Sequence, residues 1–236
     1  MTPHTTEFTL YTKGYFDFTS NNQPMYSLLL QKWSQHFQNK GSIRMLPAGS
    51  HPSASSRYLT GGKSFFANFD SGFIAYSFLS SGPNDEFNLE DFKNELKAIA
   101  PIVNEEFRLI YSQLIIEKVI LYTEGDLDFI NSGCKGQALP LAFFPASDWN
   151  MSIHTKHKME PFGIINESDL EMDKSISSST LLRDGSRVLV TRFGVLTNPN
   201  NNAARFAYDD VEPFVDRALE LLEKEKTEFD KKWMPK

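Results

Sequence analysis

Three carboxylates, Glu124, Asp126 and Asp128, follow at every second position the apolar run from Leu114 to Tyr122. Acids gathered at the end of a strand can hold Mg²⁺ for phosphodiester chemistry, and Lys135 stands nearby to assist it. A metal nuclease of the restriction type also wants an acid–x–Lys pair on the next strand. Glu117 and Lys118 are adjacent instead, so a strand would turn them to opposite faces. The competing reading of the three acids is a solvated turn. His154 and His157 form a second candidate set: H-x-x-H can place two imidazoles on one helical face for zinc. The surrounding Met151 to Met159 has no convincing helical period, and no third ligand is close in sequence. Two surface histidines in a Lys-rich loop are the simpler reading.

Arg57 to Ser64 reads Arg-Tyr-Leu-Thr-Gly-Gly-Lys-Ser and ends like a phosphate-binding loop. That loop needs glycine where Arg57 stands, and a helix after Lys-Ser to aim N–H groups at phosphate. Phe65 to Phe69 reads as a strand, so Gly61-Gly62 is assigned to a turn. Cys134 lies between Gly133 and Lys135-Gly136, which could expose a thiolate, but nothing ties a base to it. No catalytic set assembles, so no catalytic residue and no cofactor is assigned.

The elements that would position these residues come from periodicity. From Phe8 to Phe18 the even positions (Phe8, Leu10, Thr12, Gly14, Phe16, Phe18) alternate with Thr9, Tyr11, Lys13, Tyr15 and Asp17, the pattern of a strand with one buried face. Gly14 suits a bulge. Tyr26, Leu29, Leu30, Trp33 and Phe37 then make a helical stripe that opens at Pro24 and stops at Gly41. Tyr58 to Phe69 and Phe73 to Leu79 read as a hairpin across Asp70-Ser71-Gly72. Asn88 caps a helix whose stripe includes Phe92, Leu96 and Val103, with a kink or split expected at Pro101. Leu114 to Tyr122 reads as a central strand. From Glu124 to Ser186 periodicity dissolves into an expected irregular insertion, with Ser175 to Thr180 a loop. Arg187 to Val195 is again a strand. Asp209 or Asp210 then caps a last helix with Pro213 in its first turn. Within that helix Phe229 and Trp233 are candidate partner-binding residues; packing on the chain's own sheet is the alternative.

Composition bounds the function. The chain has 236 residues, 40% hydrophobic and 23% charged, with twenty phenylalanines, as an ordinary globular protein would. A net charge of −6 without a basic run argues against nucleic-acid binding, which depends on neutralising phosphates. One cysteine excludes an intrachain disulfide. No stretch approaches the ~18 uninterrupted apolar residues of a membrane span, and the N-terminus lacks a signal-peptide pattern. A cytoplasmic protein, of bacterial or phage origin, is the expectation.

The order of elements resembles a sporadically distributed, uncharacterised bacterial family. Its members share an N-terminal strand, a central helix leading into a long apolar strand, and a C-terminal helix ending near a Phe. The family's central strand carries Arg-Tyr-x-Asn, where this chain reads Leu121-Tyr122-Thr123-Glu124 and matches only the tyrosine. The resemblance implies no activity, and a setting among defence or toxin–antitoxin genes.

These readings converge on an α+β fold: a mainly antiparallel sheet with amphipathic helices on one face. The chain is taken as a single domain over 1–236, with two βα lobes, 1–125 and 126–236, as the alternative. The function that fits is a non-enzymatic macromolecule-binding protein, an inhibitor, immunity or sensor-type subunit, with a protein partner or self-association and no membrane. The rival is a metal-dependent hydrolase or nuclease using Glu124, Asp126 and Asp128. A Phe- and Tyr-lined small-molecule pocket is a third reading.

Overall fold

The N-terminal alternation forms strand β1, His4–Asp17. It belongs to a computed structural model that describes residues 4–19, 21–37, 44–45, 54–60, 63–79, 89–122, 149–162, 167–180 and 187–233. Helix α1 (Gln23–Phe37) follows, then strands β2 (Arg44–Met45), β3 (Ala54–Thr60), β4 (Lys63–Phe69) and β5 (Ser71–Leu79). Helix α2 (Leu89–Phe107) leads into β6 (Tyr111–Tyr122); β7 (Trp149–Phe162), β8 (Glu167–Thr180) and β9 (Arg187–Thr197) precede the C-terminal helix α3 (Val211–Trp233). The strands make one nine-stranded sheet in the order β2-β3-β4-β5-β1-β6-β9-β8-β7. All of these pairings are antiparallel. The architecture is the expected α+β one, and the sheet runs unbroken from the first half of the chain into the second.

Local chemistry explains most boundaries. Gly72, at the start of β5 beside its turn from β4, takes φ of 78°, a conformation costly for other residues. There the Asp70 N–H donates to the Phe73 carbonyl. Gly14 coincides with a register shift between β1 and β6. A Cβ at that position would lie 2.5 Å from the Phe16 ring and 3.0 Å from the Ile110 carbonyl oxygen, so only glycine fits. Pro213 sits in the first turn of α3, where its missing N–H costs nothing. Pro101 does not divide α2, which continues to Phe107.

Two expectations need correction. Tyr58 to Phe69 is not one strand: β3 and β4 pair back on each other, Thr60 opposite Lys63, with the Gly61-Gly62 pair between them. The insertion expected over 124–186 contains the hairpin of β7 and β8, each of 14 residues. Ser175 to Thr180 is therefore strand, paired to Arg187–Arg192 of β9. Its serines carry little strand propensity of their own, and cross-strand pairing overrides that weakness. The segment 123–148, with Cys134 and Lys135, lies outside the described residues, as do Gly41 and Asn88.

Read outward from its centre, the sheet shows a two-fold connectivity: β1-β5-β4-β3 on one side, β6-β9-β8-β7 on the other. A helix follows the second strand of each series, α2 after β5 and α3 after β9. The registers equate Leu10 with Ile116, Tyr76 with Val195, and Ala67 with Met172.

The helices lie on one face. The core unites Phe8, Leu10, Phe65, Tyr76, Phe78, Ile116, Tyr122, Met172 and Phe193 of the sheet with Leu29 of α1, Phe92 and Val103 of α2, and Phe214 and Leu222 of α3. Phe92 stacks on Phe8 with ring centroids 6.1 Å apart. Phe229 packs edge-on against Phe193 at 5.9 Å.

Two tyrosines inside this core differ in one respect. The Tyr111 hydroxyl donates to Asn104 Oδ1 at 2.6 Å, and Asn104 in turn donates to the Ala100 carbonyl. The equally buried Tyr76 hydroxyl has no hydrogen-bond partner among the described residues. Burial raises both phenols above the ordinary tyrosine range. Tyr111→Phe strands a buried amide oxygen and is expected to cost about 1–3 kcal/mol, whereas Tyr76→Phe is expected to be neutral or stabilising. Urea denaturation of the two variants beside the wild type measures the difference.

Candidate functional site

Strand parity sends odd-numbered residues of β1 and β6 away from the helices. Thr9 pairs with Glu117, Glu117 with Gly194, Gly194 with Asp173, and Asp173 with His154, one row crossing five strands on a single face. A parallel row runs Ala75, Tyr11, Ile115, Leu196, Glu171 and Lys156. Among the described residues no helix packs on this face, and its buried apolar residues Ala75, Val119 and Leu196 stand apart from the helix-covered core. Tyr11, Phe73, Ile115, Leu121 and Val190 are half-buried there, and the Tyr11 and Phe73 rings lie 6.4 Å apart.

Glu117 and Lys118, neighbours in sequence, part across the sheet as strand geometry requires. Lys118 turns inward and is buried; its ammonium pairs with Glu223 of α3 and sits 5.1 Å from the centre of the Phe8 ring. Burial lowers its proton affinity, and Glu223 opposes that shift. Glu117 turns to the open face. Burial raises its carboxyl above the ordinary 4.5; Arg192 opposes this, and Glu7 and Asp173 add to it. It makes no hydrogen bond or ion pair with a described residue, although Thr9 beside it donates to Glu7 at 2.7 Å. Gly194 leaves the floor between Glu117 and Asp173 free of a side chain; a Cβ there would meet Glu117 Cγ at 3.7 Å and Asp173 Cβ at 3.8 Å.

At the far end of the row His154 bridges two carboxylates. Its Nε2 lies 2.7 Å from Glu171 Oε2, and Nδ1 makes a short contact with Asp173 Oδ1. Both ring nitrogens can donate only in the imidazolium form. Asp173, helped by Glu171, raises His154 above the ordinary 6.5. Lys156 adds an ion pair to Glu171 at 3.2 Å.

These positions settle the geometry of the candidate residues. His154 and His157 lie three apart on strand β7, not on a loop or a helix, and the His154 side chain meets Glu171 and Asp173. Glu124, Asp126 and Asp128 lie outside the described residues. Among the described residues no group of three or more His, Cys, Asp or Glu side chains could hold a metal ion. Phe229 packs on Tyr122 and Phe193 of the chain's own sheet, and Trp233 ends α3. No described helix is long and apolar enough to cross a membrane.

A cleft between α2 and α3 is lined by Leu96, Tyr208, Val211 and Val215. Lys93 pairs there with Asp216, and Lys97 with Glu212 at 2.6 Å. Both of its lysines are thus already paired, and Asp209 is the lining charge left without an ion pair among the described residues. The open sheet face, with half-buried rings and the Glu117 carboxylate unpaired among the described residues, offers a ligand more. Sequence reasoning passed over it because the rows that build it join residues up to 185 positions apart, Thr9 with Gly194 in one row and Tyr11 with Leu196 in the other.

No family model and no curated protein matches the chain. Among solved structures it is similar to the di-domain ARO/CYC StfQ from the steffimycin biosynthetic pathway, at 8% identity and a TM-score of 0.23. That alignment covers 99% of this chain and 98% of the other. A TM-score that low does not establish a common fold.

Glu117 and His154, the groups of the open face that titrate below the tyrosine range, give the same pH sign. His154 binds its proton more tightly when folded, so its stabilisation is complete below 6.5 and fades as pH rises through the raised value. Glu117 also has a raised folded value, so ionising it opposes folding, and stability declines as pH climbs from 4.5 through that value. Thermal melts over roughly pH 4–9 should show stability falling in both windows. Glu117→Gln should remove the acidic-side decline and His154→Gln the later one.

Proposed function

We propose that the chain is a non-enzymatic binding protein that recognises a protein partner through the open face of its sheet. The observation that carries this reading is the one-sided architecture: the described helices cover one face of a nine-stranded sheet, while the other presents half-buried Tyr11, Phe73 and Ile115. Partly accessible apolar side chains of this kind, rimmed by charge, offer a partner surface to bury. The two halves of the face differ in character. By the two-fold connectivity Tyr11, Ala75 and Asn68 occupy the places that Glu117, Gly194 and Asp173 occupy in the other half. An aromatic half beside an ionic half suits an asymmetric partner and fixes its orientation.

An inhibitor, immunity or sensor-type subunit fits this arrangement, and a second copy of the chain is the other partner to consider. The acidic balance of the chain disfavours nucleic acid as the occupant.

The test compares substitutions on the two sides. Tagged chain recovered from its native cells should retain a partner, and Ile115→Arg or Phe73→Arg should weaken that retention by about tenfold or more (about 1.4 kcal/mol). Lys224→Glu, on the exposed side of α3, should leave it unchanged. Melting temperatures close to wild type would confirm that the variants are folded. Retention by both face variants, with loss on the helix side, would contradict the assignment.

A further inference from the structure

We propose that the open sheet face docks a protein segment that delivers a lysine or arginine to Glu117, with apolar neighbours of that residue resting on Ile115 and Leu196. The proposal rests on the open face being the binding surface, and it names the chemistry of what binds there. Three observations on the face lead to it.

The first is that Glu117, half-buried at the middle of the sheet, makes no hydrogen bond or ion pair among the described residues. Desolvating a carboxylate without compensating it is costly, so a cation that arrives from outside recovers interaction that the isolated chain lacks. The second is the sign of the surrounding charge. Glu7 lies on the β1 side, and Asp173 faces Glu117 across Gly194. Arg192 and Lys13 also act on Glu117, but both are exposed and neither makes an ion pair with it. Asp173 is exposed and its carboxylate is held by His154, so Glu117 is the half-buried carboxylate of this row without an ion pair among the described residues, and the exposed borders carry charges of both signs. The overall charge of −6 favours a basic partner in the same sense.

The third is shape and polarity. Gly194 leaves a notch between the carboxylates of Glu117 and Asp173, and Thr9 floors the other side of Glu117. Cross-strand spacing of about 4.8 Å puts the Glu117 and Asp173 backbones about 10 Å apart, wide enough to admit a guanidinium or ammonium head between their side chains. Ile115 and Leu196, one pleat away, pair across β6 and β9; half-buried Ile115, backed by buried Leu196, offers an apolar rest for an aliphatic stem. A lysine or arginine carries both parts, an apolar stem and a charged head.

Butylguanidinium, the side-chain head and stem of arginine, tests this on the intact ¹³C-labelled chain, with butylurea as its neutral counterpart. Butylguanidinium should shift the Glu117 carboxyl carbon and the methyls of Ile115 and Leu196, and bind at least about tenfold more tightly than butylurea. Glu117→Gln should abolish the difference between the two probes. Arg192→Gln, which removes a competing cation, should strengthen guanidinium binding. Equal binding of the two probes would overturn the cation site while leaving the face itself as a binding surface. So would butylguanidinium shifts that are no larger at Glu117 than at the exposed Glu220 of α3. If the probes behave as expected but Ile115→Arg still retains the cellular partner, the docking proposal fails together with the broader assignment.

Discussion

The antiparallel register between β1 and β6 is the constraint on which the rest of the structure depends. It sets Leu10 against Ile116, Phe8 against Lys118, and Thr9 against Glu117. A strand has a period of two, so a slip by one residue would exchange every inward side chain for an outward one. In the observed register Lys118 reaches Glu223 beneath α3 and Glu117 faces outward. In the slipped register Glu117 would enter the core, and Lys118 would lose its partner. The same pairing joins the two halves of the chain, because β1 and β6 are the first strands of the two related series. The helix-covered core and the open face are both consequences of this one alignment.

What α3 contributes follows from that alignment. Its inner side is tied to the sheet by polar contacts as well as apolar ones: Lys118 to Glu223, Lys174 to Glu225, and the Tyr122 hydroxyl to Asp230 at 3.2 Å. Phe229 lies among them against Tyr122 and Phe193. Hydrogen-bonded charges at a helix–sheet boundary specify position more than they add stability, because desolvation offsets much of their attraction. Helix α2 covers the other half by apolar contact, Phe92 against Phe8 and Phe65. The Lys93–Asp216 and Lys97–Glu212 pairs then join the two helices. The helical layer is thereby held together on one side of the sheet.

Strong single-face periods made much of this legible in the sequence. The alternation through Phe8, Leu10 and Thr12, the Leu114–Tyr122 run, the stripes of Leu29, Phe92 and Phe214, and the Pro213 helix start all appear where expected. The hairpin of β7 and β8 was hidden because its outward positions, among them Ser152, His154, Lys156, Asp173 and Ser175, are polar. Its inward row also mixes Leu170 and Met172 with Lys174, which reaches Glu225 of α3. Parity alone foretold that Glu117 and Lys118 would diverge. Which of the two would be buried depended on α3, some hundred residues later. The convergence of His154 with Glu171 and Asp173 required the β7–β8 register, and no local pattern encodes it. Nor does any local pattern reveal the open face, which exists only once distant strands lie side by side.

Hydroxyl-radical footprinting of the isolated chain tests most directly that the sheet is covered on one side and open on the other. Tyr11 and Phe73 should be readily oxidised, while Phe8, Phe193 and Phe229, which are buried between the sheet and its helices, should resist. Protection of Tyr11 and Phe73 to the level of Phe193 in the chain alone would contradict the account.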